Sequence, residues 1–142
     1  MKISARNQFR GKIASVTPGA VNTEVALGLP GGEQIVAHVS NESAKTLNLK
    51  VGDEALALVK ASLVLVMTDA SGFRLSARNC LGGTVKSLNK GPVHVEVAIA
   101  LSDGSEVHAT ITHGACDELG LQEGLPATAV FKAPSVILAV PA

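Results

Sequence analysis

From Val21 to Leu29 the chain alternates in character: Val21, Thr23, Val25, Leu27 and Leu29 share one parity, and Asn22, Glu24, Ala26 and Gly28 the other. A period of two predicts a strand with one buried face. Gly11 to Val16 reads as a strand before it, and Thr17-Pro18-Gly19-Ala20 as the turn between them. Pro30-Gly31-Gly32-Glu33 closes a hairpin onto a third strand, whose inward face is Ile35, Ala37 and Val39. Ser40 or Asn41 then caps a short helix running through Leu47, with an acid in its first turn. The chain leaves through a glycine turn at Gly52, continues as a fourth strand from Ala55 to Lys60, breaks at Ala61-Ser62, and ends the pattern in a fifth strand from Leu63 to Met67.

The same order then recurs. A shift of 72 positions lays residues 2–70 on 74–142 without a gap, and about a third of the pairs are identical. The second copy places strands at Val93 to Leu101, Val107 to Ile111, Ala127 to Lys132 and Val136 to Val140, a hairpin turn at Ser102-Asp103-Gly104, and a helix from Gly114 to Leu119. Asp69-Ala70-Ser71-Gly72 is a short linker that keeps the copies adjacent. Two domains are therefore expected, residues 1–70 and 71–142. Five strands and one short helix in about 70 residues predict an all-β fold: two tandem five-stranded barrels of the oligonucleotide/oligosaccharide-binding (OB) type. A barrel this small buries little apolar surface, and association through its strand edges would relieve that.

Composition narrows the function. The chain has 12 basic and 12 acidic residues, no Trp or Tyr and three Phe. Zero net charge weighs against general nucleic-acid binding, which rests on phosphate neutralisation, and scarce aromatics weigh against base stacking. A single-stranded nucleic-acid-binding OB protein remains the alternative reading. No run approaches the ~20 apolar residues of a membrane span, and the N-terminus does not read as a signal peptide. Cys80 and Cys116 lack metal-ligand spacing and read as reduced thiols. A cytoplasmic protein with no membrane partner is expected.

The polar residues kept in both copies carry the candidate chemistry. Ser4-Ala5-Arg6-Asn7 returns as Ser76-Ala77-Arg78-Asn79, and Lys60-Ala61 as Lys132-Ala133. Arginine offers a planar fork of donors and lysine a point charge. A serine hydroxyl and the amides beside alanine add neutral donors. Such a set suits a small tetrahedral dianion, which takes many charge-assisted hydrogen bonds. Ser62 adds a hydroxyl in the first copy, where the second has Pro134. The helix starts, Ser40-Asn41-Glu42-Ser43 and Thr112-His113-Gly114-Ala115, are secondary anion candidates through their open amides, with ordinary capping as the plainer reading. The four histidines never align between copies, so metal ligation by side chains is not expected. Glu24 and Glu96 form the one repeated acid pair and read as structural ion-pair partners. No repeated nucleophile and base appear together, which argues against an enzyme.

Ser-Ala-Arg-Asn at a domain start, a glycine four residues later, and Lys-Ala before a last strand resemble the molybdate-binding Mop-domain family, in its tandem, di-Mop, cytoplasmic molbindin form. The resemblance covers residues 2–70 and 74–142. It implies OB-like barrels, homotrimers, and molybdate or tungstate held at interfaces between subunits for storage and homeostasis. The residues it points to are Ser4, Ala5, Arg6, Lys60 and Ala61, with Ser76, Ala77, Arg78, Lys132 and Ala133.

Overall fold

A computed structural model describes residues 1–142. The first repeat contains β1 (Asn7–Pro18), β2 (Asn22–Gly28), β3 (Gln34–Ser40), α1 (Asn41–Thr46), β4 (Glu54–Val59) and β5 (Leu65–Met67). The second contains β6 (Asn79–Lys90), β7 (His94–Ala100), β8 (Glu106–Thr112), α2 (His113–Leu119), β9 (Pro126–Phe131) and β10 (Ile137–Ala139). A single 3-10 turn precedes each last strand, at Ala61–Leu63 and Ala133–Ser135.

β1 is longer than the predicted Gly11 to Val16 because it serves two partners. Asn7–Lys12 pair with β4, and Lys12–Pro18 pair with β2. The strand bends where the partners change, with a bulge between Ile13 and Ser15. Gly11 sits at this bend. A Cβ there would lie within contact distance of the Gly28 carbonyl oxygen, and at Gly83 it would strike that of Ala100. The repeated glycine is thus explained by close backbone packing.

The alternation in β2 is largely as expected: Thr23, Val25, Leu27 and the following Leu29 are buried. Ala26 is buried as well, so the strand is covered on both faces at its centre, and Val21 is exposed at the turn. The helices are capped by Ser40 and Thr112, whose side chains accept from the amides of Ser43 and Ala115. They end at left-handed residues, Asn48 and Gly120. Gly52 and Gly124 turn the chain into β4 and β9 at φ of 93° and 89°, a region that favours glycine.

The compact units do not follow the repeats. One consists of Met1–Val59 with Lys132–Ala142, and the other of Lys60–Phe131. In the first unit the sheet order is β10-β4-β1-β2-β3. The 3-10 turn before β10 packs against β3, so the sheet curls back on itself around Phe9, Ile13, Val25, Leu27, Ile35 and Val136. In the second the order is β5-β9-β6-β7-β8, the turn before β5 packs against β8, and the core is Val64, Val85, Val95, Val97, Ile99 and Phe131.

Barrels of consecutive residues, 1–70 and 71–142, are therefore not how the strands are shared out. Each repeat gives its last strand to the other repeat's sheet. β10 pairs with β4 through Ile137↔Leu58, Leu138↔Ala57 and Ala139↔Leu56. β5 pairs with β9 through Leu65↔Val130, Val66↔Ala129 and Met67↔Thr128. The two last strands, Leu-Val-Met and Ile-Leu-Ala, are similarly apolar, so either pairing satisfies the local pattern and alternation alone does not choose between them.

Candidate functional site

The doubled Ser-Ala-Arg-Asn stretches lead directly into β1 and β6. Ser4, Arg6, Ser76 and Arg78 are exposed, Ala5 and Ala77 half-buried, and Asn7 and Asn79 buried at the first rung of each strand. Arg6, Asn7, Arg78 and Asn79 are all engaged in polar interactions. A contact that sequence reasoning missed shapes the first stretch. Gln8 Nε2 donates to the Ala5 carbonyl at 3.1 Å and folds the run back on itself. Its counterpart Cys80 directs Sγ at the Ala77 carbonyl, 3.7 Å away. The available signal was the three-residue spacing of a polar side chain from a turn carbonyl.

Lys60 and Lys132 are exposed N-caps of the two 3-10 turns, and Ala61 and Ala133 are the buried first turn residues. The turns close by bonds from Leu63 N to Lys60 O and from Ser135 N to Lys132 O. The amides of Ala61, Ser62 and Ala133 precede these donors and are not used by the turn. Pro134 brings no amide; it fills a position that a helical first turn tolerates.

Pairing of β1 with β4 brings the two motifs together. Asn7 pairs with Val59, so Arg6 just before it and Lys60 just after it flank one rung. Asn79 pairs with Phe131, and Arg78 and Lys132 flank that rung in the same way. A long sequence separation is thus bridged within each repeat. The surrounding sequence adds no counter-charge. No acid occurs before Glu24, between Ala55 and Thr68, between Ala70 and Val95, or after Glu123. Each cationic pair stands on acid-free chain, where an added anion meets no competing carboxylate from its own segment.

The helix starts are spent on the fold. Ser40 and Thr112 cap at 3.0 Å each. Asn41 Nδ2 donates to the Gly19 carbonyl at 3.0 Å, and its Oδ1 accepts from the buried Thr23 hydroxyl at 2.6 Å. In the second repeat His113 Nε2 lies 2.6 Å from the Gly91 carbonyl, which fixes the proton on that nitrogen. Val95 replaces Thr23 there and needs no partner, so an imidazole can take the place of the amide. Glu42, Ser43, Gly114 and Ala115 complete these short first turns.

The remaining titratable groups make ladder contacts. Glu24 lies opposite His38, with its Oε1 2.9 Å from His38 Nε2 in a cross-strand contact. Lys86 Nζ is 2.9 Å from Glu106, and this hydrogen bond, with the lysine's charge, holds the Glu106 carboxyl below its ordinary range. Both cysteines are free, Cys80 exposed and Cys116 buried. Nowhere do three or more His, Cys, Asp or Glu come together as a metal site. No helix is long and apolar enough to cross a membrane. The first unit carries clefts, one of about 520 Å³ lined by Arg10, Gly11, Lys12, Gly28, Leu29 and Pro30 among others, but neither the Ser-Ala-Arg-Asn run nor the Lys-Ala turn lines it.

Two five-stranded sheets, each with a Ser-Ala-Arg-Asn run leading into its longest strand, define a duplicated module. Both copies match the TOBE domain, over residues 3–66 and 75–138, and the chain belongs to that family. It is 44% identical over 140 residues to the molybdenum transport protein ModE of Herbaspirillum seropedicae, covering 99% of this chain and 52% of that protein. It is 43% identical over 141 residues to the molybdenum-pterin-binding protein MopA of Rhodobacter capsulatus, covering 99% and 53%. The chain thus spans about half the length of these curated relatives. Among solved structures it is similar to the cytoplasmic molybdate-binding protein ModG with molybdate bound, at a TM-score of 0.97 and 52% identity, covering 99% of this chain and 100% of that one.

Proposed function

We propose that this chain binds molybdate, and tungstate, as an intracellular oxyanion-binding protein for molybdenum storage and homeostasis. The observation that carries the proposal is the match along the whole length of a molybdate-bound, molybdate-binding protein, in a chain that keeps both Ser-Ala-Arg-Asn runs and both Lys-Ala turns.

In this reading Arg6 and Lys60 supply charge to one anion, and Arg78 and Lys132 to another. Ser4 and Ser76 donate hydroxyls, and the amides of Ala5, Ala61 and Ser62, or Ala77 and Ala133, complete the set. Charge-assisted donors of this kind replace the hydration shell of a dianion. No bond is made or broken, and the protein is not an enzyme. Ser4, Arg6 and Lys60 are exposed to solvent, so a second surface has to close the site over the anion. A homotrimer with anions at its interfaces, as the Mop resemblance implies, meets that need. Support comes from apolar residues left exposed at matching positions of both repeats, Val21 with Val93 and Leu65 with Ile137.

Isothermal titration with molybdate, against a sulfate control, tests the reading. Saturable heat with molybdate alone is expected, and Arg6→Ala should remove a subset of sites while the oligomer persists by light scattering. Heat no greater than that of sulfate sinks the proposal.

A further inference from the structure

The two cationic runs are identical in sequence but are not held in the same way. Gln8 pins the first run with an amide N–H to the Ala5 carbonyl at 3.1 Å. At the same place in the second run stands Cys80, a weak donor at 3.7 Å from the Ala77 carbonyl. Each contact spans the arginine: the carbonyl it holds precedes Arg6 or Arg78, and the side chain that holds it follows Asn7 or Asn79. The backbone entering β1 is thereby held across Arg6 by an amide hydrogen bond, and the backbone entering β6 is held across Arg78 by the weaker thiol contact.

We propose that Gln8 is a positioning residue that presets the Arg6 run for anion binding, and that Cys80 is its weaker counterpart, so the chain carries one pre-organised site and one that must order as it fills. The inference rests on the oxyanion-binding reading above. A run ordered in advance loses less conformational freedom on binding, and the difference appears as affinity. Gln8 does not touch the anion in this scheme; it acts through the Ala5 carbonyl and the amide and arginine that follow.

Ser62 and Pro134 also distinguish the sites, so wild-type asymmetry alone decides nothing and an exchange of side chains is needed. Molybdate titrations of the full chain are compared for wild type, Gln8→Ala, Cys80→Gln and Arg6→Ala, the last identifying which sites contain Arg6. Gln8→Ala should weaken the Arg6 sites about threefold, and Cys80→Gln should strengthen the Arg78 sites by about the same factor. Hydrogen exchange of the anion-free protein supplies a second readout. The Arg6 and Asn7 amides should exchange faster in Gln8→Ala, and those of Arg78 and Asn79 slower in Cys80→Gln, with β2 and β3 unchanged. Wild-type binding with neither variant altered in affinity or local exchange overturns the inference and leaves the oxyanion reading standing. A wild-type chain that takes up no molybdate beyond the sulfate control overturns both.

Discussion

Leu138 provides a direct test of the strand exchange. It lies in β10, is 7% exposed, and pairs with Ala57 of β4. Leu138→Ala removes about three buried carbon groups, or roughly 2.4 kcal/mol of transfer free energy at ~0.8 kcal/mol each. A residual cavity adds to this, but a three-residue edge strand relaxes readily, so the cost should fall near the low end of the usual range, about 2.5 kcal/mol. The loss belongs to the unit that holds β4. Amides of Leu56, Ala57 and Leu58 that exchange through opening of that unit should speed up about 60-fold. Those of Thr128, Ala129 and Val130 in β9 should hold their protection. Exchange resolved by peptide or by NMR reads both sets in one sample. If β9 loses protection and β4 keeps it, the repeats close on themselves and the exchanged topology is wrong.

Three other perturbations probe the fold that presents the cationic runs. Gly83→Ala forces a Cβ onto the Ala100 carbonyl, with no flexible side chain to yield, and should cost about 2–4 kcal/mol by thermal denaturation. Asn41→His strands the Thr23 hydroxyl, 2% exposed, at a cost of about 1–3 kcal/mol; adding Thr23→Val, which copies the second repeat, should recover most of it in a double-mutant cycle. Glu106 is the stronger acid in the folded chain because Lys86 bonds its carboxylate, so this stabilisation is complete above the ordinary carboxylate range and is lost as pH falls through the lowered value. Glu106→Gln should cost under ~1 kcal/mol near neutral pH, the pair being partly exposed, and nothing in strong acid, by urea denaturation.

Much of the local structure was readable in the chain. Alternation placed β2, the Pro30–Glu33 turn placed the hairpin, and Ser40-Asn41 marked the helix start, with Ser40 as the cap, because each depends on contacts a few residues apart. The repeat also made the cationic residues stand out. What escaped was of two kinds. The exchange of β5 and β10 escaped because Leu65 and Ile137 are nearly interchangeable and either acceptor edge suits either strand. Side-chain couplings escaped because they depend on pairs: Gln8 acquires its role from the turn carbonyl behind it, and Asn41 from the buried hydroxyl of Thr23. The role of Gly11 escaped too, because it depends on how closely the Gly28 carbonyl of the neighbouring strand approaches.

The exchanged topology also has a consequence for how the chain is made. A ribosome releases β1 to β4 first, but the strand that completes their sheet follows β4 by about 80 residues. At ~5–20 residues per second that interval is roughly 4–16 s. During this time the edge of β4 is open and the nascent β5 is the only matching strand at hand. A self-closed first repeat is thus open to the newborn chain before its final partner exists, and the exchanged form requires β5 to leave that edge or never to settle there.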